Sequence, residues 1–443
     1  MAVISNVSLS KSSIDLTSEL RSDLQESTSP SKDLAQKLES EVLSSVSISE
    51  DDVLTTPING TAVADIIVGT NDSDTIFGLA GDDGIFSLDG NDTVFGGTGV
   101  DIIIGGGGDD SLNGEDGNDL IFGDSQVFGA GGNDLINAGN GFDVVFGGVG
   151  NDTINGNNGR DSLDGEDGND IINGGQGTDE LSGGNGNDSL SGGSEDDVLN
   201  GGNDSDTLNG NTGNDRLFGD AGSDRLFGND GADIINGGDG NDVAFGGIGN
   251  DRFFAGSGND RVFGEAGNDN VDGEAGDDLI NGGSGIDILF GSLGNDNLVG
   301  EAGVDSLFGG SGNDTLNGGD GNDTLIGVDP FVPAFGFGSS EIDILTGGGG
   351  SDLFALGDAN NVFYDLSASN DIGFANITDF DRTLDTIQLN GSQEQYSLSQ
   401  GSTDSGANFT NILLNKPDQA GELISTLQGV QIADFSSGFS FVS

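Results

Sequence analysis

Residues 237–260 read GGDGNDVAFGGIGNDRFFAGSGND, and Asp242, Asp251 and Asp260 stand nine residues apart. Carboxylates repeated at one spacing, in segments too rich in Gly to form helices, are hard oxygen donors arranged for a cation. The same arrangement fills most of the chain. Residues 60–122 hold seven nonapeptides with Asp65, Asp74, Asp83, Asp92, Asp101, Asp110 and Asp119 at position six. Residues 129–326 hold twenty-two more without a break. Their Asp residues are Asp134, Asp143, Asp152, Asp161, Asp170, Asp179, Asp188, Asp197, Asp206, Asp215 and Asp224. They continue with Asp233, Asp242, Asp251, Asp260, Asp269, Asp278, Asp287, Asp296, Asp305, Asp314 and Asp323. Two last repeats carry Asp343 and Asp352. GDSQVF (123–128) and GVDPFVPAFGF (327–337) separate the blocks. Position eight is apolar in every repeat, and Ala244 is its weakest member.

Local hydrogen bonding alone makes Asp and Asn common in turns. For a single repeat that explanation would suffice; for thirty-one repeats with Asp at one position it does not. The unit is G-G-x-G-x-D-x-U-x, where U is a large apolar residue. Gly supplies positive φ and Asn tolerates it, so the first six residues turn. The last three suit a short strand whose middle residue points inward. Two repeats then make one coil, and strands of successive coils pair in parallel at about 4.8 Å. The fold class expected is all-β: a parallel solenoid with a thin core of position-eight residues.

Coil spacing places Asp143, Asp161 and Asp179 through Asp323 along one edge, and Asp152, Asp170 and Asp188 through Asp314 along the other. Bare ladders of carboxylates would repel. A divalent cation shared by neighbouring turns removes the repulsion. Ca²⁺ takes six to eight oxygens in flexible geometry, whereas Mg²⁺ demands a tighter octahedron and keeps its waters. The position-six Asp residues are therefore the expected ligands of multiple Ca²⁺ ions.

Composition narrows the function classes. There are 77 acidic against 11 basic residues, a formal charge of −66, and only 33% hydrophobic residues. Such a chain is disordered unless something positive folds with it. Nucleic acid and anionic membranes are excluded as partners. With no Cys and no His, disulfides, thiolate or imidazole zinc sites and Ser-His-Asp machinery are absent. No apolar run reaches the ~18–20 residues of a membrane-spanning helix. The segment MAVISNVSLSKSSIDLTSELRSD has no basic region followed by an apolar core, so a Sec signal peptide is not expected.

The flanks set the domain limits. Residues 1–59 are polar; LTSELRSDLQES and SKDLAQKLESEVLSS have helical spacing, with Ser31 as an N-cap, and read as weakly helical or disordered. The roll occupies 60–355. Residues 356–443 lose the period, and FANITDF, DTIQLNG and TNILLN point to a small β-rich cap. Positions seven and nine are expected to face outward. There Phe227, Phe245 and Phe263 recur at coil spacing with Arg225, Val243 and Arg261 beside them. Phe218 and Phe254 with Arg216 and Arg252 mark the opposite face. Cross-strand packing accounts for such a patch; a contact surface for self-association or surface polysaccharide is the sharper reading.

The unit GGxGxDxUx resembles the calcium-binding nonapeptide of RTX (repeats-in-toxin), or hemolysin-type, proteins, over about two thirds of the chain. The resemblance implies a parallel β-roll, with Ca²⁺ held by Asp carboxylates and main-chain carbonyls of turns two repeats apart. It also implies export through a type I secretion apparatus by an uncleaved C-terminal signal, and folding on meeting external calcium. ITDFDRTLDTIQL (377–389) is similar to the I-x-D-F…D-x-I-x-L segment after the roll of serralysin-type proteins. LFALGDANNVFYD…FANITDFDRTLDTIQLNG resembles the ending of cyanobacterial RTX surface proteins, and ADFSSGFSFVS is compatible with a secretion signal. RTX proteases and lipases need His. Pore-forming members carry a long apolar region before the repeats, and epimerases a catalytic domain for which the flanks are too small. RTX antifreeze modules repeat Thr along one edge, and here only Thr98 and Thr212 occupy position three. The expectation is a secreted, non-enzymatic calcium-binding protein with a structural or adhesive role at the cell surface or in the extracellular matrix. The alternative is an RTX-class extracellular enzyme or toxin with an active element in the C-terminal domain.

Overall fold

The structure is a computed structural model describing residues 57–125, 131–328, 341–357, 373–403, 405–415 and 422–442. The helical segments read within 1–56 and the insertion residues Phe331, Phe335 and Phe337 fall outside these, whereas Ile58–Asn59 is a strand. The chain divides into two compact units, 1–225 and 226–443.

In the first unit each strand pairs in parallel with the strand two repeats away. Strand Thr153–Gly159 pairs with Leu135–Gly141 on one side and Ile171–Gln176 on the other, with Ile154 opposite Ile172. Intervening strands such as Ser162–Asp167 pair with Val144–Val149 and Glu180–Asn185 in a second parallel sheet. The first strand, Ile58–Asn59, already pairs with Ile76 and Phe77, so position-eight packing starts at Ile58. Between the sheets lie Ile76, Ile85, Val94 and their successors through Leu217, all but fully buried. Each such side chain contributes about 1.5–3 kcal/mol.

Two expectations need correcting. Strands run for six residues or so, not three: Ser189–Ser194 covers positions seven to nine and one to three of the next repeat. The Gly-rich part is drawn into the sheet because its amides and carbonyls face those of the neighbouring coil and must pair. Position two, inside the strand, has positive φ, for example Asn157 at 74° and Gly175 at 109°. Positions seven and nine also do not all face solvent. Phe86, Ile102, Ile104, Leu120, Phe122 and Val144 form a second buried cluster, with Ile66, Val100, Phe142 and Phe146 packed on it. Aromatic and β-branched residues on successive coils meet there at strand spacing.

The second unit repeats the pattern. Val243–Ile248 pairs with Arg261–Ala266, and Asn297–Gly303 with Thr315–Gly321, all in parallel. Phe253, large and buried, follows the small Ala244 in the core stack, and its ring tip would lie 3.0 Å from a Cβ added at Gly246. Ile342–Gly349 and Leu353–Ala355 continue the two sheets, and Phe374–Ile377 and Thr386–Asn390 add one more turn of chain. Tyr396–Ser402, Asn408–Leu414 and Glu422–Gln428 then close it as an antiparallel sheet, the β-rich cap. Among the described residues there is no α-helix.

Candidate metal centre

Position-six Asp side chains do not hang from the turn edge; they are turned inward and buried. From Asp74 to Asp352 their relative exposure is 5% or less, and only Asp65 is half-buried. The turn places each backbone N–H beneath the carboxylate of the next coil. Asp134 donates to Oδ1 of Asp152 at 2.8 Å, Asp152 to Asp170 at 2.7 Å, and Asp170 to Asp188 at 2.7 Å. In the second unit Asp251 donates to Asp269 and Asp269 to Asp287 in the same sense. The carbonyl of each Asp is spent on the adjoining strand, as in the bond from Thr153 N to Asp134 O at 2.8 Å.

Oδ2 has no such partner. From Asp134 to Asp206, and again from Asp251 to Asp323, every position-six Oδ2 is buried without a hydrogen bond. Leaving a buried charged acceptor unpaired is among the costlier defects a fold can carry. In most repeats these atoms face the Gly at position one of their own repeat; Ala138 and Ala255 hold that position for Asp143 and Asp260, and Asp134 Oδ2 faces Gly123. A Cβ added at Gly156 would lie 2.5 Å from Asp161 Oδ2 and 2.6 Å from the carbonyl oxygen of Gly174, one coil on. The absent side chain thus leaves a small space bounded by carboxylate and carbonyl oxygens. The fourth-position Gly159, at φ +149°, lets the turn lie directly against the carbonyl of Gly141.

Burial raises the carboxyls. Desolvation pushes Asp134, Asp161 and Asp197 up to about 8, against the lowering effect of the bonded amide and with help from neighbouring rung charges. Asp143, Asp170 and Asp251 rise to about 7 for the same leading reason. A metal-free roll therefore binds protons near neutrality. Every donor is a hard oxygen, which suits Ca²⁺. Among the described residues no three acidic side chains converge to hold an ion alone.

The ends of the ladder differ. Oδ2 of Asp65 accepts from Thr61 N and Oγ1 at 2.6 and 2.7 Å, and Oδ2 of Asp74 from Thr70 N and Oγ1 at 2.7 and 2.8 Å. At the other end Asp352 donates to Oδ1 of Asp385 at 3.1 Å, while Asp381 N fills Asp385 Oδ2 at 2.7 Å. Asp385 is thus a rung that the nonapeptide count missed; the D-x-U spacing of Asp385 and Ile387 was its signal. In the same segment Asp379 accepts from Gly347 and Gly348.

A second ladder also escaped the sequence reading. At position five, Asn151 N donates to Oδ1 of Asn133 at 2.8 Å, Asn169 to Asn151, and Asn187 to Asn169. In the second unit Asp277 donates to Asn259 and Asn295 to Asp277. These bonds point backwards along the chain, whereas those of position six point forwards. The recurrence of Asn one residue before Asp was the visible sign.

The model of the RTX calcium-binding nonapeptide repeat matches residues 59–94, 95–127, an overlapping series from 128 to 325, and 337–364. Among solved structures, the chain is 25% identical to the AlgE6R3 subunit of the Azotobacter vinelandii mannuronan C5-epimerase, over 34% of this chain and 71% of that one, with a TM-score of 0.19. It is 19% identical to a hyperactive, Ca²⁺-dependent, β-helical antifreeze protein from an Antarctic bacterium, over 78% of this chain and 89% of that one, with a TM-score of 0.23. Scores this low carry no argument about this chain. A search of curated proteins returned no match. The repeat pattern, the buried oxygen ladders and the family match together make the chain a member of the RTX calcium-binding nonapeptide repeat family, which binds multiple Ca²⁺ ions.

Proposed function

We propose that the position-six Asp residues hold these ions between successive coils, and that the protein is a secreted, non-enzymatic roll that folds when it meets external calcium. The observation that carries this reading is the run of buried, unpartnered Oδ2 atoms. Asp65 and Asp74 contribute least to ion binding, because Thr61 and Thr70 already occupy their outer oxygens. Extracellular calcium modules bind at roughly 10⁻⁴–10⁻³ M, far above cytosolic calcium. The chain would leave the cell unfolded through a type I secretion apparatus and order outside, where the ion adds its binding free energy to folding. Its role there is structural or adhesive, at the cell surface or in the matrix. The lack of His and Cys supports a non-enzymatic role. Among the described residues no helix is long and apolar enough to cross a membrane.

The outward Phe residues are the part of this reading that concerns partners. In the second unit Phe227, Phe245 and Phe263 stack with centroids 5.2 and 5.0 Å apart, and Arg261 lies 5.7 Å over Phe263. Stacking of this kind already stiffens a sheet. Contact with surface polysaccharide or a second copy is a further step, tested by changing all three to Asn and measuring both associations in calcium.

Circular dichroism across a calcium titration tests the main reading. The expected result is a disordered spectrum in excess chelator and a β spectrum in millimolar calcium. One spectrum in both conditions would overturn it.

A further inference from the structure

The two interruptions of the nonapeptide array do more than lengthen the chain. Across 123–128 the rung spacing changes from 18 to 24 residues, yet Asp110 still donates to Oδ1 of Asp134 at 2.8 Å. Across 327–337 it becomes 29, and Asp314 still donates to Oδ1 of Asp343 at 3.0 Å. The ladder is therefore kept through both breaks, and each break sets one extra carboxylate beside it.

At the first break that carboxylate is Asp124. It follows Gly123 where the other described repeats from Leu79 onward have a position-two residue at positive φ; only Asp124 and Val328, each the second residue of a break, lack it. Without that turn the Asp124 side chain goes inward and is 6% exposed. Gly132 N and Val149 N fix its two oxygens at 3.2 and 2.6 Å. A Cβ at Gly148 would stand 2.5 Å from Asp124 Oδ2, and one at the adjacent Gly147 would stand 2.5 Å from Asp152 Oδ2. The unpartnered Oδ2 of Asp134, itself 2% exposed, faces Gly123 next to Asp124.

At the second break the carboxylate is Glu341, at the fourth position that Gly holds in most repeats. One of its oxygens takes the N–H of Gly312 a coil earlier, and Oε2 is buried with no partner. Glu341 stands two residues before Asp343, the rung partner of Asp314, and Asp314, 1% exposed, likewise has an unpartnered Oδ2. Glu195, the other fourth-position Glu, is exposed and has its Oε2 taken by Ser194 Oγ and Gly177 N.

Charge decides what this means. In the regular ladder each carboxylate is shared by the ions on either side of it, so a divalent ion has one negative charge to itself. One added carboxylate brings the count to two and neutralises the ion. Calcium affinity follows the charge of the ligand set and its rigidity, and a low-dielectric surrounding strengthens the effect.

We infer that the two breaks build the chain's tightest cation sites, Asp110–Asp134 with Asp124 and Asp314–Asp343 with Glu341, and that Ca²⁺ fills these before the regular rungs. This rests on the reading that the rungs hold calcium. Both act by charge beside the ion, since the oxygens of Asp124 are already bonded and no three acidic side chains of the described residues converge to hold an ion directly.

Competition with a chromophoric chelator, on the full chain and with Ca²⁺ itself as the probe, tests the inference. The parent is expected to show a small tight class of ions ahead of a large weaker one. Asp124→Asn and Glu341→Gln should each weaken part of the tight class by roughly three- to tenfold, and Glu180→Gln, an exposed control, should not. Circular dichroism at saturating calcium verifies that each variant folds. Should Asp124→Asn fail to fold there, Glu341→Gln decides. A parent isotherm with a single class overturns the inference whatever the variants do, and so do variants that keep the tight class intact. A parent that binds no calcium at all would instead remove the ladder reading beneath it.

Discussion

The amide of Asp152 donates to Oδ1 of Asp170 at 2.7 Å, while Oδ2 of Asp170 is buried with no partner. One carboxylate thus fastens the coil before it through Oδ1 and, on the function proposed above, offers Oδ2 to an ion. The two can be separated. Asp170→Asn keeps an acceptor for Asp152 but loses the charge, so the variant should reach full β content at a calcium concentration about three to ten times higher. Asp170→Ala also loses a hydrogen bond to a charged group, about 1.5–3 kcal/mol, and should be less stable even at saturation. Asp74→Asn, whose Oδ2 already accepts from Thr70, should barely move the midpoint. Titration of the three side by side checks this, and equal shifts would count against it.

Gly156→Ala should damage ion binding with little backbone strain. Gly156 is not among the residues at positive φ, but its Cβ would enter the space between Asp161 Oδ2 and the Gly174 carbonyl. The expected outcome is a raised calcium midpoint and at least one ion fewer by equilibrium dialysis. A full complement of ions at the parent's midpoint would mean that the ion sits elsewhere.

Acid should partly replace calcium. Burial raises the folded-state carboxyls of Asp134, Asp161 and Asp197 from 3.8 to about 8. Between those values the folded chain holds protons that the unfolded chain has released, so stability falls as pH rises. The contribution is full below the unfolded value and lost as pH climbs through about 6 to 8. In chelator, the chain should gain β structure on going from pH 8 toward pH 4, and calcium should bind more weakly as pH falls. Circular dichroism at fixed chelator reads the first, and a spectrum independent of pH would contradict it.

Phe253→Ala should cost about 3–5 kcal/mol. Phe253, itself at position eight, is 1% exposed and follows the small Ala244 in the core stack. Thermal melts in saturating calcium measure the loss, and a change under about 1 kcal/mol would show that the stack repacks around the hole.

Much of the candidate site was legible beforehand. Asp134, Asp152 and Asp170 could be assigned to one edge because an eighteen-residue coil follows from two nine-residue repeats, and the rungs keep that spacing. Asp124 and Glu341 could not, because neither stands at position six. Asp385 was missed because its rung lies 33 residues after Asp352, beyond any fixed period.

The sequence by itself determined the period, the inward apolar residue and the chemistry of the donors, since these depend on residue type and local turn geometry. Tertiary structure decided which oxygen of a rung Asp takes the amide of the coil before it. That depends on the offset between stacked coils, which sets the position-six bonds forwards and the position-five bonds backwards. It also drew the Gly-rich residues into the strands, because only the neighbouring coil supplies partners for their amides. And it brought Asp124 and Glu341 to the ladder, because a chain that loses its period must still meet the register of the coil already laid down.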